Sequence, residues 1–153
     1  MSQLCFTPGG GASIVHTVRI MCEAHPDWPC VSMDLKNAHN EIRRRAIVEG
    51  FEAAPNLQHM ALHMGAYLVS HHRLEASGEQ WGEAGDGHTQ RDPEAGAAFA
   101  VPVQPAVEDL HREVGGVALF GNDEGFVIGD ILEAASSMNG KLWEALEKLA
   151  GQT

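Results

Sequence analysis

A small antiparallel sheet packed against helices, an α+β fold, is what the pattern of apolar residues in this chain predicts. Three observations carry that prediction. Val31, Met33 and Leu35 alternate with Ser32, Asp34 and Lys36, the period-two signature of a strand with one buried face. A second apolar run, residues 117–120, is followed by Gly121, Asn122, Asp123, Glu124 and Gly125 and then by Phe126, Val127 and Ile128, which reads as a hairpin with two adjacent acids at its tip. Around and between these strands lie stretches whose apolar residues recur at helical spacing, and the order helix, strand, helices, hairpin, helix fits a sheet covered by helices.

At 153 residues, 44% of them hydrophobic, the chain is long enough for one domain with a core, and no composition shift divides it. No apolar run approaches the roughly 18 residues that a membrane span requires, and Met1 to Cys5 lack the charged and apolar regions of a secretory signal. The expectation is a soluble intracellular protein, cytoplasmic or nuclear, without a membrane partner. Cys5, Cys22 and Cys30 are odd in number and form no CxxC pair, so they read as buried thiols rather than a disulfide framework or a thiolate zinc site. The net charge of −11, from 10 basic and 21 acidic residues, disfavours a nucleic-acid grip, which draws most of its non-specific affinity from lysine and arginine against phosphates.

From the amino end, Thr7, Pro8 and three glycines form a loop feeding a helix over residues 13–24, with Ile14, Val15, Val18, Met21 and Cys22 as its apolar stripe. The glycines lack the following Gly-Lys-Ser/Thr of a phosphate loop and read as a turn. Residues 25–29, with two prolines, turn the chain into the strand that ends near Asp34. That carboxylate has two readings: a last polar residue ahead of a helix start capped by Asn37 and Asn40, or a functional acid that needs a partner.

A helix over 38–53 follows, with Ile42, Ala46, Ile47 and Phe51 toward the core, stopped by Pro55 and Asn56. Its Arg43, Arg44 and Arg45 are the only basic cluster, and a solvated helix face is one reading of them. A second helix over 57–73 carries the stripe Leu57, Met60, Ala61, Met64 and Leu68. It also carries His59 and His63 four apart, with His71 and His72 two turns on; that spacing suits two imidazoles on one metal, although Met60 stands where a zinc-protease helix has glutamate. Surface histidines are the ordinary alternative. Residues 77–89, rich in glycine and acids around Trp81, read as a loop or weak hairpin. Asp92, Pro93 and Glu94 then make a good helix start for residues 92–101, residues 106–114 continue as helix, and residues 130–150 are expected to be largely helical on Leu142, Leu146 and Leu149.

Four segments, in order, carry a family likeness: GGGASIVHTVRIMCEAHPDW before the strand, DLKNAHNEIRR at it, TQRDPEAGAAFAVPVQP in the middle and NDEGFVIG at the hairpin. Together they resemble the palm of reverse transcriptases of the non-LTR retroelement type. The resemblance implies one palm-like (ferredoxin-like) domain over 1–153 with part of the fingers, acting as an RNA-directed DNA polymerase. It implies that Asp34 and Asp123, helped by Glu124 and the Leu35 carbonyl, hold two magnesium or manganese ions for in-line phosphoryl transfer. It also places His39, Gln90 and Arg91 at the incoming nucleotide and Arg44 at the nucleic acid, with template-primer and dNTP as partners. The chain ends soon after Leu149, before the lysine-bearing strand and the thumb of such enzymes, so the thumb is expected to be absent or supplied by a protein partner.

The departures from the family pattern fall on the site. Glu124 stands where a second aspartate is expected, Gly121 replaces an aromatic residue two positions before Asp123, and His39 replaces an aromatic that screens the sugar. Arg91 replaces a glycine, and Pro102 lies where the middle helix should run on, a position at which proline costs about 3 kcal/mol or kinks the helix. Three readings follow: a reverse-transcriptase-like nucleotidyltransferase, weak or inactive as an isolated chain; a non-catalytic palm-fold relic that binds a protein; and a metal-binding module built on His59 and His63.

Overall fold

The computed structural model describes residues 4–69, 72–84, 86–89, 92–129, 144–145 and 147–150. Its elements are α1 (Gly10–Ala24), β1 (Cys30–Asp34), α2 (Ala38–Glu41), α3 (Arg44–Ala53), α4 (Gln58–Leu68), β2 (His72–Ala76), β3 (Glu79–Ala84), α5 (Ala95–Glu113), β4 (Val117–Gly121) and β5 (Glu124–Ile128). The fold is α+β. It divides into two compact units, one holding α1, β1, β4, β5 and α5 from Val103 onward, the other holding α2, α3, α4, β2, β3 and α5 up to Pro102. None of the described helices is long and apolar enough to cross a membrane.

The first unit is built on a three-stranded antiparallel sheet in the order β1-β5-β4, with α1 packed against β4 and β5. The hairpin expected from the acidic tip forms, and its turn is tighter than the sequence suggests: only Asn122 and Asp123 lie outside the strands. Asn122 takes φ +75°, the positive φ that a two-residue hairpin turn needs to match strand twist and that asparagine tolerates. Phe120 and Gly125 are directly opposed, and a Cβ on Gly125 would come within 2.6 Å of the Phe120 ring. The glycine is what lets that fully buried ring lie across the neighbouring strand. Ala118, Phe120, Val127 and Ile128 are all 4% exposed or less, so the core of this unit runs along β4 and β5. β1 lies at the sheet's edge; its apolar Val31 and Met33 are only half-buried, which corrects the expectation of a buried face there.

In the second unit, α3 packs on α4 through Ile47, Phe51, Ala61, Met64 and Leu68, all buried. Each such large side chain contributes roughly 1.5–3 kcal/mol by leaving water. The single helix expected over 38–53 is two: Ile42 and Arg43 are extended, with ψ of 129° and 133°, and the Arg43 amide donates to Leu149 O at 2.9 Å. Turning Ile42 inward, to 3% exposure, is what the break gains.

The second helix stops at Leu68 rather than running to residue 73, and His72 and Arg73 begin β2. β2 and β3 make a hairpin where a loop or weak hairpin is expected, turning at Ser77 and Gly78 with φ of +56° and +80°. A register shift beside Leu74 leaves Trp81 as the extra residue of a bulge. α5 also departs from expectation, running unbroken from Ala95 to Glu113 through Pro102 and Pro105. Pro102 faces Gly50 of α3, where an added Cβ would lie 2.7–2.8 Å from the proline. Close packing of the ring against a glycine accompanies the helix that the proline fails to stop. Of the final helix, residues 144–145 and 147–150 are helical; residues 130–143 and Leu146 lie outside the described residues.

Candidate functional site

The sheet register sets the acidic end of the first unit. β1 pairs with β5 so that Asp34 is directly opposite Glu124, which in turn is opposite Gly121 of β4. Directly opposed residues point to the same face of a sheet. One step beyond, the Leu35 amide donates to the Asp123 carbonyl at 3.1 Å, which leaves Asp34 and Glu124 in the non-hydrogen-bonded position, where Cα atoms approach to roughly 4.5 Å. Asp123 sits in the turn, half-buried, its carboxylate accepting a 3.3 Å hydrogen bond from Asn122 Nδ2. Asp34 and Glu124 are exposed.

Two like charges facing each other across a ladder are destabilising, so this end of the sheet is one where a cation gains by arriving. The donor set sets a limit on what can be held. Among the described residues no three or more His, Cys, Asp or Glu side chains form a group able to hold a metal ion. The register opposes two acids, Asp34 and Glu124, and Leu35 meets Asp123 through its amide. Gly121 leaves little room for the missing aromatic, since even a Cβ there would lie 3.2 Å from Ile14 Cδ1 of α1.

Cys5 belongs to this end as well, although its sequence context gives no signal of it. The Leu4 amide donates to Phe120 O at 2.7 Å, bringing the amino-terminal segment beside the hairpin. Burial, then the charge of Asp123, pushes the Cys5 thiol up. The capping reading of Asp34 is not what forms: α2 starts after Asn37, which takes φ +56° and makes no side-chain cap.

The remaining expected site residues belong to the second unit. His39 is 9% exposed and its ring tilts against Phe99 with centroids 5.4 Å apart, so it is packed rather than presented. Arg44 donates from Nη1 to Leu68 O at 2.8 Å and from Nε to Gly87 O at 3.2 Å. Those bonds satisfy a carbonyl at the end of α4 and hold the loop after β3, a structural use of a guanidinium. Gln90 and Arg91 lie outside the described residues. His63 Nε2 meets Glu94 Oε1 at 2.8 Å, while His59 is exposed. His71 lies outside the described residues and His72 has left the helix, so the run of helical histidines is not formed.

Sequence reasoning missed a polar cluster here. The Tyr67 hydroxyl donates a very short hydrogen bond to Asp92 Oδ2, and Asp92 Oδ1 accepts the Glu94 amide at 3.0 Å. That second bond is the capping role the sequence assigns to Asp92. His88, 2% exposed, stacks on Tyr67 with ring centroids 5.4 Å apart, and its amide donates to His39 O at 2.7 Å. The hydrogen bond to Asp92 pushes the Tyr67 hydroxyl up to about 12, followed by burial and the charges of Asp92 and Glu94. A helical stripe gives no warning of this, because Tyr67 sits between the core positions Met64 and Leu68.

No protein-family model matches the chain, and no curated protein sequence is significantly similar to it. The fold class, α+β with a small antiparallel sheet, therefore rests on the structure itself.

Proposed function

We propose that the chain is a reverse-transcriptase-like palm that keeps the acidic end of its sheet and captures a single divalent cation there, without carrying out template-directed synthesis on its own. One observation supports this most: the strand bearing Asp34 pairs with the second strand of the hairpin bearing Asp123 and Glu124, in a register that opposes Asp34 to Glu124. The four motif segments of the resemblance thus meet a sheet whose order is compatible with a palm. Magnesium or manganese held by Asp34 and Glu124, near Asp123, would supply charge neutralisation to a phosphate. The chain's own residues bring the carboxylates together through the ladder and do little to hold a substrate. Gly121 offers no side chain to a primer end, the two described Arg44 donors already serve carbonyls, and a net charge of −11 opposes a polyanion.

Extension of a primed RNA template with dNTPs, in magnesium and in manganese, tests the reading beside Asp34→Asn as a blank. Extension equal to the blank is expected. Extension well above it would make the chain a working RNA-directed DNA polymerase and overturn the single-ion, inert reading.

A second reading, a palm-fold relic that binds a protein, is favoured by Leu62 and Val69. They lie seven residues apart on α4 and at its end, and are 82% and 81% exposed. Concentration-dependent association abolished by Leu62→Lys would support it; association unaffected by that change would remove its basis.

A further inference from the structure

We propose that the outer edge of β1 receives an extended segment of a partner protein in which apolar residues alternate with polar and basic ones, adding a strand to the sheet of the first unit. β1 ends the sheet order β1-β5-β4 and is paired with a strand on one side only. The opposite edge is already engaged, since the Leu4 amide donates to Phe120 O of β4 at 2.7 Å.

Hydrogen-bond parity decides which groups of β1 are on offer. The Leu35 amide donates to Asp123 O at 3.1 Å, and in an antiparallel ladder the bonded positions recur at every second residue. Val31 and Met33 therefore direct their amides and carbonyls at Val127 and Gly125 of β5, while Cys30, Ser32 and Asp34 direct theirs away from the sheet. Among the described residues no other backbone group meets those outward donors and acceptors. Cys30, Ser32 and Asp34 are all exposed. No proline, lysine or bulge, the usual protections of a sheet edge, interrupts the five residues of the strand.

The side chains of β1 state what the added strand must carry. Positions opposite Val31 and Met33 extend a face on which both are half-buried, and apolar side chains there take more of both out of water. The position opposite Asp34 joins a row in which Asp34 already faces Glu124, with Asp123 in the adjoining turn. A lysine or arginine there meets an opposite charge across the ladder. Lys36 lies two residues on, past the end of the strand. A second copy of the chain suits this edge less well, because each copy brings a net charge of −11.

The probe is a labelled pentapeptide, Lys-Ile-Thr-Val-Thr, blocked at both ends. In antiparallel register it sets lysine opposite Asp34, isoleucine and valine opposite Met33 and Val31, and its central threonine opposite Ser32. It is titrated into the full chain with reductant and a chelator, so that neither a disulfide nor a divalent ion competes for the edge. Saturable binding is expected, with the amide resonances of Ser32 and Asp34 moving more than those of Val31 and Met33. N-methylation of the central threonine, whose amide would donate to Ser32 O, should weaken binding about tenfold or more. N-methylation of the valine, whose amide points away from β1, should change it little. Asp34→Asn should weaken binding about two- to fivefold. Ser32→Pro should abolish it with the fold intact by circular dichroism, because that amide lies outside the β1–β5 ladder and an edge strand tolerates proline. No saturable binding, equal affinity for the two methylated peptides, equal affinity for a peptide of the same composition without the alternation, or self-association of the chain through β1 that excludes the peptide would each overturn the proposal.

Discussion

Tyr67 is the chain's single tyrosine, which makes the polar cluster of the second unit directly readable. Its hydroxyl is pushed up to about 12, first by the hydrogen bond to Asp92. An unfolded tyrosine titrates near about 10. The folded chain therefore keeps the proton between those values while the unfolded chain has lost it. The stability this bond contributes is intact below about pH 10 and is lost as pH rises through about 12. Near-ultraviolet titration of the native chain should show the tyrosinate transition well above the ordinary value, and Asp92→Asn should move it back toward that value. A native transition at the ordinary value would mean the Tyr67–Asp92 bond is not made in solution. The same scale explains Arg44 and His39. A residue type at a motif position identifies a charge or a ring, but not whether carbonyls or a Phe99 ring have already claimed it.

At the scale of elements, Gly50 and Gly65 make a matched pair of tests on the two helices that pack together. A Cβ at Gly50 would lie 2.7–2.8 Å from Pro102, part of it backbone that cannot swing away, whereas at Gly65 the nearest atom would be 3.9 Å distant. Gly50→Ala should destabilise the chain by about 1–3 kcal/mol through overpacking, despite alanine's better helix propensity. Gly65→Ala should be neutral or stabilise by up to about 1 kcal/mol. Urea unfolding of both variants measures the difference, and equal effects would remove the close α3–α5 approach.

That contact also shows what the sequence conceals. Strand alternation around Met33 and the acidic hairpin are local patterns, legible in kind, whereas the pairing of β1 with β5 and the two-residue turn are set by the sheet. Pro102 in a helix, the break at Ile42, and the hairpin of residues 72–84 depend on what packs across, or on a turn at Ser77 and Gly78 between strands with little apolar alternation. Asp34, Asp123 and Glu124 are grouped only by the resemblance, and it is the strand register that opposes Asp34 to Glu124. Cys5 and the Tyr67 cluster could not be assigned from sequence, because their partners are distant in the chain.

For the whole molecule, charge and site chemistry point the same way. A net charge of −11 favours the approach of cations over polyanions, and among the described residues Asp34 and Glu124 are a pair of acids opposed by the strand register, both exposed. The opposed Asp34 and Glu124 lose their mutual repulsion when a cation lies between them, which is the physical basis of the claim that this end of the sheet is an ion site. Manganese binding, followed by its paramagnetic relaxation of water and of resonances near β1 and β5, measures that claim most directly. One site filling at roughly millimolar manganese is expected, weaker than a site with a full ligand set. Asp34→Asn or Glu124→Gln should abolish it, and Glu52→Gln on α3 should leave it intact. Relaxation unchanged by Asp34→Asn and by Glu124→Gln would show that the opposed acids hold no ion, and would contradict the account at its centre.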